Sequence, residues 1–236
     1  MTRQRWWLAA AFVMTFATPS GARAQLTVLE DSPSPRADTW QLAAGARNAL
    51  IRSGGFDPFS GNDHLSQFSM SLLRALSTPS AAGLGFAVGL GFDVGAASAF
   101  ARSANADLTL SRFLLIAEGR YHFFPRLYAF GRLAPGLSHG TAALREASAP
   151  GYAPLVDGFT TLAVDASAGA AFCVSGMQSR VGAWLLADAG YGWTPQHHLR
   201  LSPDLAERDR DNVAPLDLGN FAARGILIRV AFALSY

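Results

Sequence analysis

The chain has 236 residues, half of them hydrophobic and only 15% charged, against about 25% charged in an average soluble domain. All 19 basic residues are arginine, set against 17 acids for a net charge of +2. This excludes intrinsic disorder, which needs high charge and few apolar groups, excludes an internal disulfide framework because there is one cysteine, and argues against a nucleic-acid partner because the charges are sparse and mixed in sign.

The chain opens with Arg3 and Arg5, an apolar run over 6–17 broken only by Thr15, and the small-residue segment Gly21-Ala22-Arg23-Ala24. That order predicts a secretory signal peptide over 1–24, cut before Gln25. The run is shorter than the roughly 20 apolar residues that a spanning helix needs. No cysteine lies near the cut, so a lipoprotein anchor is not expected. Three of the 19 arginines leave with the signal, so 16 face 17 acids and the remainder is near neutral. Residues 25–38, with Pro33 and Pro35, read as a short periplasmic lead, and 39–236 as one barrel domain.

From residue 40 onward the hydrophobic period is two, the period of a strand. Trp40, Leu42, Ala44 and Ala46 alternate with Gln41, Ala43, Gly45 and Arg47; Phe68, Met70 and Leu72 alternate with Gln67, Ser69 and Ser71. The clearest segment is 84–94, where Leu84, Phe86, Val88, Leu90, Phe92 and Val94 oppose Gly85, Ala87, Gly89, Gly91 and Asp93. Glycine at every second place argues against a helix there. Over 112–123, Phe113, Leu115 and Tyr121 oppose Arg112, Glu118 and Arg120. The segment 128–137 is irregular, because Arg132 shares a face with Tyr128 and Phe130. Segments 162–173, 181–193 and 226–236 restore the alternation. The count is eight.

The links alternate between short (77–83, 124–126, 175–180) and long (49–65, 97–106, 138–157, 194–217). Short turns gathered at one end predict an antiparallel up-and-down barrel with both ends of the domain at that side. The strand charges Arg47, Asp93, Arg112, Glu118, Arg120, Asp165, Asp188 and Arg229 all oppose the apolar stripe, so the oily face is expected to meet lipid. Closure satisfies every backbone polar group, as hydrocarbon demands. Phe123, Phe172, Tyr236 and Trp40 at the short-turn end, with Tyr191 and Trp193 at the other, read as two interfacial aromatic rings.

With its signal segment, eight alternating segments and closing run Val230-Ala-Phe-Ala-Leu-Ser-Tyr236, the chain resembles bacterial outer-membrane β-barrel proteins of the small eight-stranded OmpA/OmpX/OmpW-like class. The resemblance implies an all-β, eight-stranded antiparallel up-and-down transmembrane β-barrel in the outer membrane of a Gram-negative cell. It implies outer-membrane lipids and the barrel-assembly machinery as partners, the latter reading Phe232, Leu234 and Tyr236 as an assembly signal. No further domain is expected after Tyr236, and a monomer is expected.

A barrel of eight strands is just wide enough for its own side chains, so the inward charges must pair. An interior network is expected with Glu118, Arg120, Asp165, Asp188 and Arg229 at its middle, making the lumen a structural plug. Inward Gly85, Gly89, Gly91 and Gly95 leave a narrow pore as an alternative. A lipid A-modifying enzyme is a second alternative, on Ser138-His139, but strand neighbours point to opposite faces and no catalytic residue is assigned. A secreted soluble lipid-binding barrel is the third. His197 and His198 with Asp204, Glu207, Asp209 and Asp211 match no closed metal site, so no metal and no cofactor is expected. Cys173 reads as a small core residue. A structural or surface-interaction role through the long links is the leading expectation.

Overall fold

The computed structural model describes residues 39–77, 83–101, 104–146, 154–175, 181–203 and 215–236. The expected signal peptide, the lead and the acids at 204, 207, 209 and 211 lie outside them. The described residues form ten strands: β1 (Trp40–Leu50), β2 (His64–Ser77), β3 (Gly83–Ala101), β4 (Ala104–Phe124), β5 (Leu127–Glu146), β6 (Leu155–Cys173), β7 (Gly182–Trp193), β8 (His197–Pro203), β9 (Leu216–Phe221) and β10 (Gly225–Ser235). Eight of them close a ring. Each of β1 to β6 pairs antiparallel with the next, and β10 pairs with both β7 and β1. No strand of the ring has a free edge, so its backbone polar groups are satisfied internally.

The ring is the up-and-down barrel that the alternation predicts. The count of eight holds for the ring and not for the chain. In the link expected over 194–217 and just beyond it, β8 and β9 form an additional hairpin, and β8 joins β6 through Leu155↔Pro203 and Val156↔Ser202. Leu199 and Leu201 alternate there with His198 and Arg200, a pattern too short and too charged to stand out. The other long links are also more ordered than their composition suggests. Strands β3 to β6 run on to Ala101, Ala104, Glu146 and Leu155, so much of 97–106 and 138–157 is paired strand. The irregular segment 128–137 belongs to β5. There Tyr128 and Phe130 turn inward beside Arg132, and Leu133 and Leu137 turn outward. The faces are regular, and only the placement of the aromatics is unusual.

Candidate functional site

The outer surface is built first by the pleat. On β4 the outward residues from Phe113 to Phe123 are apolar, and the same holds from Leu84 to Val94 on β3, Leu162 to Phe172 on β6 and Ile226 to Tyr236 next to β10. Each run is ten steps. Steps of about 3.3 Å at a tilt of about 40° span about 25 Å along the axis, the height of the apolar band on an outer-membrane barrel. Cross-strand pairing aligns the runs, with Phe92 opposite Phe113, Leu137 opposite Leu162 and Leu127 opposite Phe172. Above the belt most outward residues turn polar, with Phe100 an exception. Ser66 donates to Asn48 at 2.6 Å, Ser98 donates to Asp107 at 2.7 Å, and His139 Nδ1 lies 3.0 Å from Thr160 Oγ1. Phe123, Phe172 and Tyr236 face outward at one edge, and Tyr191 and Trp193 at the other. Arg74 sits over the Trp40 ring, 5.7 Å from its centroid, at the short-turn edge. Phe232 and Leu234 of the closing run point outward with Tyr236.

The interior is layered. At the level of the belt's upper edge lies a neutral cluster of three arginines and three aspartates. Arg112 donates to both carboxylate oxygens of Asp165 through its two terminal guanidinium nitrogens, at 2.8 and 2.7 Å. Arg47 lies 3.2 Å from Asp165 and 3.7 Å from Asp93, and donates to Gln67. Arg229 approaches Asp165 and Asp188, each at 3.9 Å. Nearer the short turns lies a second cluster, in which Glu118 accepts from Arg120 at 2.7 Å and from Arg132 at 2.6 Å. Arg120 continues to Gln41 at 2.5 Å.

The structure therefore does not bring the five residues named from sequence into one network. Asp165, Asp188 and Arg229 stand together, and Glu118 and Arg120 stand apart from them. On β4 the inward residues Leu114 and Ile116 separate Arg112 from Glu118, and they pack with Leu73, Ala87, Ala134 and Ala163 as an apolar layer. Arg47, Asp93, Arg112 and Arg132 complete the two clusters. Their inward facing is legible from period two, but which inward charges share a level depends on strand stagger, which a single sequence does not carry.

Both mouths are filled. At the short-turn end Tyr128, Phe130, Trp184 and Leu186 pack together with Cys173, and Arg120 lies over the Tyr128 ring at 5.1 Å. Trp184 Nε1 donates to Ser235 at 2.8 Å. At the long-link end the connection between β1 and β2 folds inward and buries Phe56 and Phe59 completely. They join Leu108, Leu110, Phe159, Leu199, Leu201 and Phe221 in an apolar cap. Sequence reading missed this cap. The signal was present in Gly55-Phe56-Asp57-Pro58-Phe59, two aromatics three apart in a turn-rich link.

The catalytic pair weighed from sequence does not assemble. Ser138 is fully buried in the lumen and His139 is exposed on the opposite face. The two later histidines are structural ties of the β8 hairpin. His197 Nε2 lies 3.3 Å from Asp157 and stacks on Phe159. His198 sits between Asp217 at 2.9 Å and Asn220 at 3.1 Å. Those two oxygens hold its imidazolium and raise its pKa. The Gly219 amide and His198 hold Asp217 below the usual carboxylate range. Among the described residues no cluster of His, Cys, Asp and Glu suits a metal.

No protein-family model and no curated protein sequence matches the chain. Among solved structures it is similar to Ail, the attachment invasion locus protein of Yersinia pestis, in complex with the heparin analogue sucrose octasulfate, at 10% identity and TM-score 0.45 over 84% of this chain and 97% of that one. It is similar to the outer membrane protease OmpT of Escherichia coli at 7% identity and TM-score 0.48, over 88% and 99%. It is also similar to the transport unit of the autotransporter AIDA-I from Escherichia coli at 12% identity and TM-score 0.36, over 90% and 94%. The closed ring of pairings establishes the barrel independently of these likenesses.

Proposed function

We propose that this chain is an integral barrel of the bacterial outer membrane, closed to conduction, that offers its long-link end to the outside as a surface for contacts. The observation that carries the reading is the aligned outward belt, about 25 Å tall, bounded by aromatics and then by polar pairs. A soluble lipid-binding barrel would turn that face inward, whereas Leu84, Leu90, Phe113, Leu115, Leu162 and Ile226 each expose more than half of their surface. Small outer-membrane barrels place short turns in the periplasm and longer loops outside, which supports the orientation.

The filled mouths and the apolar layer between the ionic clusters favour a sealed barrel over a narrow pore. The opposed faces of Ser138 and His139 favour a non-enzymatic role over lipid modification. A ring without free edges favours a monomer, and the exposed closing run Phe232, Leu234 and Tyr236 suits reading by the assembly machinery. Outer-membrane lipids are then the partner of the belt. The test is extraction from outer membranes followed by gel migration before and after heating. A compact form that is converted by boiling supports the reading. A protein recovered in the soluble fraction without detergent overturns it.

A further inference from the structure

Beside the apolar cap, at the long-link end, an open groove of about 460 Å³ lies between the β1–β2 connection and the segment joining β9 to β10. Its volume falls within the roughly 300–1,000 Å³ of small-molecule sites. Arg52 stands on one wall and Arg224 on the other; the remaining lining residues are polar, glycine or aliphatic, and none is acidic. Neither arginine has an ionic partner among the described residues. Both walls are tied down. Ser53 Oγ donates to the Asn220 carbonyl at 3.0 Å and accepts from the Ala222 amide at 3.1 Å. The Gly55 amide donates to the same carbonyl at 3.2 Å. A Cβ on Gly55 would meet the Asn220 backbone at 2.7 Å, so this approach requires glycine. Arg224 is oriented through Nε, which donates to the Thr194 carbonyl at 3.3 Å, and the Ala223 amide is held by Thr194 Oγ1 at 2.8 Å.

We propose that this groove binds a phosphorylated or sulfated sugar. Two arginines on opposite walls, with no carboxylate between them among the described residues, present a surplus of two positive charges and fork-shaped donors. Arginine forks match the oxygen spacing of phosphate and sulfate. The volume exceeds what a bare ion needs. Gln196, exposed on the lining, supplies an amide group for hydroxyls, and Asn220, whose Oδ1 is taken by His198, supplies its amide nitrogen. The buried charges of the lumen do not serve this purpose, because each of them already faces an opposite charge. The identity of the ligand's source rests on the orientation proposed above; binding itself does not.

The test uses the purified full barrel in zwitterionic detergent and phosphate-free buffer, titrated calorimetrically with glucose 6-phosphate, glucose and inorganic phosphate. Glucose 6-phosphate is expected to bind, to be displaced by phosphate and to weaken with added salt. The double variant Arg52→Ala/Arg224→Ala is expected to bind about tenfold more weakly or worse, with unchanged heat-modifiable migration as the folding control. Arg224→Lys keeps the charge but not the fork, and is expected to lose part of the affinity. Equal binding by the double variant, equal binding of glucose, or no binding of any probe overturns the proposal. Because the titration runs in detergent, that failure leaves the membrane reading to its own test. Repeating it in lipid discs separates the sources. Binding lost in discs that contain lipopolysaccharide assigns the site to the membrane's own phosphorylated sugars, and binding retained there assigns it to a soluble glycan; either outcome supports the site.

Discussion

Replacing Arg112 by alanine tests whether the lumen is held by its charges. Arg112 is 2% exposed and is the only residue of its cluster to bind Asp165 with two short hydrogen bonds, 2.8 and 2.7 Å. It also approaches Asp93 at 3.6 Å. Without it, three aspartates face two arginines in a closed interior. Breaking a buried pair from one side costs about 3–5 kcal/mol. Removing both partners as Arg112→Met/Asp165→Leu leaves Arg47 with Asp93 at 3.7 Å and Arg229 with Asp188 at 3.9 Å, a balanced remainder. Exchange of a buried pair for apolar groups of similar volume is near neutral or stabilising. That applies here because Nε of Arg112 and Asp188 Oδ1 have no hydrogen-bond partner, so the cluster is not fully satisfied. The assay is urea unfolding in lipid vesicles followed by tryptophan fluorescence. The double variant is expected to be several kcal/mol more stable than Arg112→Ala. If the two are equally stable, or if Arg112→Ala costs no more than the exposed Arg74→Ala, the charges are not energetically paired and the reasoning fails.

Arginine at Leu90, 60% exposed near the middle of the belt, is expected to cost about 2–4 kcal/mol in vesicles, while Phe100→Arg above the belt is expected to cost close to nothing; equal costs would remove the lipid from the argument. Gly140→Ala would place a Cβ 2.1 Å from the Phe159 ring, pushing it out of the cap. A loss of about 1–3 kcal/mol, with faster proteolysis near Phe56 and Phe59, is expected. The tie between His198 and Asp217 has a pH window. A raised histidine pKa stabilises fully below the unfolded value of 6.5 and is lost as pH rises through the higher folded value. A lowered aspartate pKa stabilises above 3.8 and is lost as pH falls through the lower folded value. Protection of the β8–β9 hairpin amides, taken relative to the intrinsic base-catalysed exchange rate at each pH, is therefore expected to be greatest at mildly acid pH and to fall toward alkaline pH, and a flat protection profile would count against the tie. Planar bilayers carrying the protein are expected to stay silent, and regular conductance steps from the native chain would contradict the sealed lumen.

The barrel was legible because one face of each strand must meet lipid, and period two then shows in the residues themselves, as in Leu84 to Val94. The side of each charge was legible for the same reason. Three features were not. The separation of Asp165 from Glu118 depends on how far each strand is staggered along the axis. The folding of Phe56 and Phe59 into the mouth depends on the cap that receives them, which Leu199, Leu201 and Phe221 supply from far along the chain. The groove at Arg52 and Arg224 joins residues 172 positions apart through backbone bonds to Asn220 and Thr194, and no local pattern marks that approach.

The neutral cluster also bears on how the barrel chooses its register. Its six charges come from six strands: Arg47 from β1, Asp93 from β3, Arg112 from β4, Asp165 from β6, Asp188 from β7 and Arg229 from β10. Gln67 adds β2 by accepting from Arg47. Asp93 is directly opposite Arg112, and Arg229 directly opposite Asp188. Arg47 faces Arg229 across β1 and β10, the seam where the ring closes, and Asp165 reaches both from the far side. The apolar belt alone tolerates a slip of two residues, because small and large apolar groups are interchangeable toward lipid. A slip of one would turn a charge onto the lipid face, where its cost grows with depth below the belt's edge, and strand its partner inside. A slip of two would keep the faces but move a charge into an apolar layer away from its partner. The belt thus specifies which side faces lipid, and the cluster specifies which rung meets which. If so, the Arg112→Met/Asp165→Leu variant, though stable once folded, should refold into vesicles more slowly than the native chain or yield more than one compact form on an unheated gel; a single form appearing at the native rate would remove the register role while leaving the pairing energy intact.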